Sequence, residues 1–235
     1  IKTTGEPPSA RAYQGSVWDT KRNVMWTFGG AGADFKGKGE LHRIDPAAPK
    51  WERMTTTGGP GPRLNPTLAY DPVVDRLIVY SGLIGFGGEG AVQDLWLLDP
   101  VKLTWALKTC SAPARWQCAS AFDPASRQLV IHGGFDTAYK PQNGTWIYEA
   151  PTDIWTDAGD GPAVSDAHAA VWDAAGKRVL MYGGSIMGQR EGHARMWAFD
   201  LLGRKWSDVE SASGPGPRAY HVMALAPETS TLFLF

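Results

Sequence analysis

An all-β fold of stacked four-stranded sheets is what this 235-residue chain predicts, on three observations. A unit of about 50 residues recurs four times and then begins a fifth time, always as an Arg or its stand-in, a Gly-Gly pair, an acidic residue and a Trp. The spacings within the unit alternate between constant and variable. A short, almost wholly apolar run precedes every glycine pair.

The landmarks fall at Arg11, Gly29-Gly30, Asp45 and Trp51; at Arg63, Ser81-Gly82, Asp99 and Trp105; at Arg115, Gly133-Gly134, Glu149 and Trp155; at Ser165, Gly183-Gly184, Asp200 and Trp206; and finally at Arg218. From the Arg position to the second Gly is 19 residues in each unit, and from the acidic residue to the Trp is 6. From the second Gly to the acidic residue the count runs 15, 17, 15 and 16, and from the Trp to the next Arg position 12, 10, 10 and 12. Two constant segments joined by two variable ones describe two tight hairpins linked by two longer connections.

Strand signals fall inside the constant segments. The runs at 24–28, 77–80, 129–132, 179–182 and 232–235 are nearly continuous in apolar residues, as expected of strands covered on both faces. Each of the first four follows a polar turn opened by Asp19, Asp71, Asp123 or Asp173, whose carboxylate can bond the backbone two residues on. The second hairpin runs through Asp45 to Trp51, with counterparts ending at Trp105, Trp155 and Trp206.

Four-stranded units buried on both faces have to stack on copies of themselves. A ring of such sheets is a β-propeller. The glycine doublets, an aromatic before three of the four acidic positions (Trp96, Trp146, Trp197) and the Trp six residues after them resemble the kelch family, over essentially the whole chain. Ser81, Ser165, Glu149 and His42 depart from the pattern. The resemblance implies a kelch-type propeller with four complete four-stranded blades and parts of flanking blades. The expected organisation is one domain over 1–235, incomplete at both ends, with repeats at 11–62, 63–114, 115–164, 165–217 and a partial 218–235. The chain reads as a piece of a larger ring, whose missing blades or a partner would cover the exposed blade faces.

Composition argues against several other classes. With a formal net charge of -1 and 20% charged residues, the chain has neither a nucleic-acid-binding excess nor a disordered tail. No apolar run approaches a membrane span. A soluble setting is expected, with cytoplasm slightly favoured over secretion. Cys110 and Cys118 would need alpha carbons within about 7 Å to bridge. Asn143-Gly144-Thr145 matches a glycosylation acceptor, which matters only for a secreted chain.

Variation points to function. In an up-and-down sheet the connections after strands two and four emerge on one face, so all length variation maps to one rim. The loops after strand two run over 29–40, 82–94, 133–143 and 183–195 and carry apolar residues a solvated loop does not need: Phe35; Leu83, Ile84 and Phe86; Phe135 and Tyr139; Ile186 and Met187. Asp34, Lys36, Lys38, Glu89, Asp136, Lys140, Arg190, Glu191 and Arg195 surround them. Apolar anchors within a polar rim are the pattern of protein interfaces. The competing reading folds these side chains back over their own blades. Arg11, Arg63, Arg115 and Arg218 precede the innermost strands on the same face; they would either cap neighbouring carbonyls or bind carboxylates of a ligand.

An enzyme is weighed and set aside. Copper radical oxidases that resemble this chain in fold need a Cys crosslinked to a Tyr, a second Tyr and two His, and neither Cys110 nor Cys118 lies near a Tyr in sequence. Plant specifier proteins resemble one another in a Glu, Asp and His at four-residue steps; Glu191 is followed by Arg195. His168 and His221 share one repeat position, where Gln14, Pro66 and Cys118 stand elsewhere, and are read as bonded to backbone carbonyls and not as metal ligands. No catalytic residue, metal or cofactor is assigned. The expected function is a non-catalytic module that binds another protein or larger assembly through the loops after strands two and four, without nucleic acid or membrane insertion. A carbohydrate-binding or carbohydrate-active propeller is the runner-up, and a purely architectural subunit the third reading.

Overall fold

The computed structural model describes residues 2–86, 90–163, 166–185, 193–209, 214–226 and 228–235, and these contain strands and turns but no helix. They form two compact units, Ile1–Trp116 and Gln117–Phe235.

In the first unit the strands are β1 (Thr4–Gly5), β2 (Ala12–Asp19), β3 (Val24–Ala31), β4 (Leu41–Asp45), β5 (Lys50–Met54), β6 (Thr67–Asp71), β7 (Arg76–Tyr80), β8 (Leu95–Asp99) and β9 (Thr104–Lys108). The first blade has the order β1-β5-β4-β3-β2 and the second β6-β7-β8-β9. All neighbours are antiparallel except β1, which pairs in parallel with β5. The second unit holds β10 (Ala119–Asp123), β11 (Gln128–His132), β12 (Gly144–Glu149) and β13 (Ile154–Asp160) as one antiparallel blade, then β14 (Asp166–Asp173), β15 (Arg178–Ser185), β16 (Met196–Asp200) and β17 (Lys205–Val209) as another. A hairpin of β18 (Met223–Ala226) and β19 (Thr231–Leu234) follows.

Four of the five apolar runs behave as second strands sandwiched on both faces; the run at 232–235 does not, with Phe233 47% and Phe235 74% exposed. In β3 every residue but Met25 is buried, and in β7 and β11 every residue but the first. Blade faces meet through these strands: Val24, Trp26 and Phe28 pack with Leu68, Tyr70, Leu77 and Val79 in the first unit, and Val130 and Ile147 with Val179 and Phe199 in the second. Burial of such side chains is worth about 1.5–3 kcal/mol each.

The repeated Trp joins blades. Trp105, on the outer strand of the second blade, lies 5.8 Å from Phe28 of the first; Trp206, its counterpart in the fourth, lies 4.7 Å from His132 of the third. An aromatic one residue before the glycine pair is therefore the surface on which the next blade's Trp rests. Tyr80, His132 and Tyr182 at this same position also bond the carbonyls of Pro113, Pro162 and Pro215, ahead of the following blade's first strand.

The hairpin turns are closed by the expected carboxylates. Asp19 accepts from the backbone N–H groups of Lys21 and Arg22, and Asp71, Asp123 and Asp173 act in the same way. A clasp between blades is built on two of these turns in the first unit. Arg22 donates to both oxygens of Asp75 at 2.7 and 2.6 Å and to Asp19 at 2.8 Å, while Tyr70 donates to Asp75 and Trp26 to Asp19.

Candidate functional site

The connections after strand two are rooted by the glycine pair. Gly29 and Gly30 have φ of 77° and 91°, in the left-handed region that L side chains rarely adopt. A Cβ on Gly29 would stand 2.6 Å from the carbonyl oxygen of Arg63, and the Gly30 N–H donates to that same oxygen at 2.9 Å. Gly82 donates to the Arg115 carbonyl at 3.0 Å and Gly184 to that of Arg218 at 2.9 Å. The constant 19-residue spacing thus sets these three loop roots against the segment that leads into the next repeat. Ser81 keeps the conformation without being glycine, at φ 52°, and its hydroxyl both donates to the Val92 carbonyl and accepts from the Arg115 N–H at 2.8 Å.

The arginine side chains hold the loops from within. The Arg63 guanidinium, 3% exposed as a residue, donates to the carbonyls of Gly61 and Ser81 and to both oxygens of Asp94, which ends the loop. Arg11 makes the corresponding bonds to Ser9, Gly29 and Glu40. Arg11 and Arg63 thereby tie the two ends of their own loops together. Arg115 is buried and donates to the Ala114 carbonyl; Arg218 donates to the Gly216 carbonyl.

In the first unit the two loops are stitched to each other. Lys36 pairs with Gly85 and Lys38 with Arg63, and the Gly37 N–H reaches the Ile84 carbonyl. Asp34 accepts from the Lys36 N–H, and that bond leads the causes holding its carboxyl below the ordinary range. This turn presents Phe35, itself left-handed at φ 53°, to solvent at 56% exposure.

Phe86, 43% exposed, stands at the centre of an aromatic group: its ring is 5.9 Å from Phe35, 6.3 Å from Tyr13 and 5.8 Å from Trp116, each near edge-to-face. Such pairings contribute about 0.5–1.5 kcal/mol beyond area. Trp116 forms a buried floor while Phe35 and Phe86 stay open to water. The result is a preformed apolar patch on hydrogen-bonded loops, beside the charged Asp34, Lys36 and Lys38.

Tyr13 and Trp116 escaped the sequence reading. The signal was positional: two residues after each Arg position stand Tyr13, Asn65, Gln117, Ala167 and Tyr220, all left-handed, with φ between 46° and 63°. The Asn65 N–H donates to the Tyr13 carbonyl and the Tyr220 N–H to that of Ala167, linking the start of one blade to the next.

In the second unit the loop over 133–143 is closed by Asp136, which accepts from the N–H groups of Ala138 and Lys140, with Tyr139 left-handed at φ 61° and half-buried. Phe135 is 6% exposed and its backbone pairs with Pro141. Leu83 is likewise fully buried. Arg195 is exposed, 3.4 Å from Asp208. Glu89, Ser165, Ile186, Met187, Arg190 and Glu191 lie outside the described residues.

The remaining chemistry is structural. Both cysteines are free thiols, and burial pushes Cys110 up to about 12. The His168 ring bonds the His132 carbonyl at 3.2 Å. Among the described residues no three His, Cys, Asp or Glu side chains stand together as a metal site. No helix among them is long and apolar enough to cross a membrane.

The family model of the KLHDC2/KLHL20/DRC7 Kelch-repeats domain matches residues 1–158. Over 225 residues the chain is 25% identical to multiple epidermal growth factor-like domains protein 8 of Mus musculus, an alignment covering 88% of this chain and 8% of that protein. It is 25% identical over 230 residues to Adagio protein 3 of Arabidopsis thaliana, covering 87% of this chain and 35% of that one. The chain therefore spans well under half the length of these curated relatives. Glycine pairs at the loop roots, outer-strand tryptophans and this match over two thirds of its length place the chain in the kelch-repeat family of β-propeller proteins.

Proposed function

We propose that the chain is a non-catalytic protein-interaction module, docking a partner on the loops after strands two and four. Kelch-repeat propellers typically serve as protein-interaction modules. The observation that carries the reading is the Phe35–Phe86–Tyr13 group, two of whose rings remain open to water on loops already fixed by backbone bonds. A fixed aromatic patch binds without the ordering cost that a mobile loop would add. In the second unit Tyr139 and Arg195 stand on the corresponding loops, and Arg11 and Arg63 act as positioning residues beneath the loops of the first.

The opposite rim supplies the control. Val73 with its neighbour Val74, Val101 and Leu202 are exposed at hairpin turns, as scattered surface apolar residues commonly are. Affinity capture from the native cells, using the parent protein, should lose its specific partner with Phe35→Ser/Phe86→Ser and keep it with Val73→Ser/Val101→Ser. The reverse pattern would overturn the reading. Retention of the protein partner with loss of binding to a glycan array would favour the carbohydrate reading instead.

A further inference from the structure

One buried histidine is wired differently from its counterparts in the other repeats. His132, at the end of β11, is 2% exposed and stands directly opposite Thr145 of β12. Its Nδ1 lies 3.0 Å from Thr145 Oγ1 and its Nε2 3.2 Å from the Pro162 carbonyl oxygen. Trp206 of β17, on the next blade, donates its indole N–H to the same Thr145 oxygen at 2.8 Å and rests against the imidazole at 4.7 Å.

The direction of every bond follows from chemistry. An indole only donates and a carbonyl only accepts. Thr145 therefore receives from Trp206 and gives its hydroxyl proton to Nδ1, and His132 carries its single proton on Nε2, facing Pro162. The chain runs Trp206 to Thr145 to His132 to Pro162, and it crosses from the fourth blade to the third and back to the connection between them. A second proton has only Nδ1 to go to. There it would face a hydroxyl that is pointing its own proton inward, and accommodating it would require Thr145 to turn away from its present bond.

Among the described residues the surroundings offer the cation no counter-ion. The groups packed on His132 are the Thr145 hydroxyl, the Trp206 indole, the Pro162 carbonyl, Gly161 of the connection and the His168 ring of β14 at 5.7 Å. Burial first, then His168, hold the imidazole down to about 3 against an ordinary 6.5, the Pro162 carbonyl acting in the opposite sense. For a histidine held neutral in this way, stability is complete above about pH 6.5 and falls as the pH drops towards 3.

The first blade shows the lock without the proton. Phe28 occupies the position of His132, Leu41 stands opposite it as Thr145 does, and Trp105 rests on Phe28 at 5.8 Å. No group there titrates.

We infer that the Trp206–Thr145–His132–Pro162 chain is an acid-released lock between the third and fourth blades, loosening the outer strands of the fourth blade in mildly acidic solution while the Phe28–Trp105 contact holds. The test is backbone amide exchange on the whole chain between pH 7.5 and 5, corrected for the intrinsic chemical rate. Protection in β16 and β17 is expected to fall about tenfold for each pH unit below about 6.5, while β9, which carries Trp105, stays level. The variant His132→Phe/Thr145→Leu, which copies the first blade, should remove the pH dependence. Flat protection in β17, an equal loss in β9, or an unchanged slope in the double variant would overturn the inference. Should that variant not fold, the imidazole nitrogen signals of the unaltered chain decide: a neutral ring protonated on Nε2 at pH 7 supports it, and a ring protonated on Nδ1 or on both nitrogens overturns it.

Discussion

Replacing Asp75 with Asn removes one charge and one of the two acceptor oxygens from the Arg22 clasp while keeping the side chain's shape. Asp75 sits in a turn at φ 58°, a conformation Asn tolerates as well as Asp does, so the backbone is not strained by the exchange. The two hydrogen bonds from Arg22 come first among the causes that hold the Asp75 carboxyl at about 2 against an ordinary 3.8. That preference corresponds to about 2 kcal/mol at neutral pH, trimmed somewhat by solvent because the Asp75 side chain is 23% exposed. A depressed carboxylate stabilises the fold fully above its ordinary value and stops doing so as the pH falls through the native one, so the contribution disappears between about pH 4 and 2. Urea unfolding, with amide exchange of β6 and β7 as the readout for the first unit, should show Asp75→Asn less stable by about 2 kcal/mol at pH 7. The gap between variant and parent should close at about pH 2. A loss under about 0.3 kcal/mol, or a gap that persists in acid, would refute the assignment of this clasp as the electrostatic tie between the first two blades.

Three further outcomes follow from the same geometry. Arg63→Ala removes the Ser81 carbonyl's guanidinium donor and leaves Asp94 with only the Trp96 indole N–H, and should cost about 3 kcal/mol by thermal unfolding, with Arg63→Lys recovering only part because it lacks the planar fork. Ser81→Gly restores the repeat pattern yet should destabilise by about 1 kcal/mol, since the bond lost by the Arg115 N–H outweighs the relief of a left-handed serine; a stabilised variant would contradict this. Cys110, whose thiol burial pushes up to about 12, should react with iodoacetamide at pH 8 far more slowly than a free cysteine and at model rates once the chain is unfolded.

The repeat made the blades legible because each landmark does one job at one spacing. Gly29-Gly30 need left-handed backbone under the Arg63 carbonyl, and Trp105 and Trp206 need a flat surface on the preceding blade. The surface itself was harder to read. Phe28, Tyr80, His132 and Tyr182 differ in chemistry, and only their common place before the glycine pair unites them. The loops were located but not their contents: Phe35 and Phe135 look alike in sequence, yet one lies on a turn closed by Asp34 and faces water while the other pairs with Pro141 and is buried. Tyr13 joined the patch through contact with a loop about seventy residues away in sequence, which no local pattern encodes. The arginines' acceptors, Glu40 and Asp94, were hard to read for a related reason: they come from the far end of a loop of variable length.

The most direct test of the account places a photo-crosslinking amino acid at Phe35 and, separately, at Val101, in the full-length parent protein in its own cells. Both positions are exposed, one on the loop rim and the other on the hairpin rim. The account predicts a saturable crosslink to one protein from position 35, abolished by Phe86→Ser, and none from position 101. Crosslinks from 101 alone, or none from 35 while the parent remains in a complex, would contradict it.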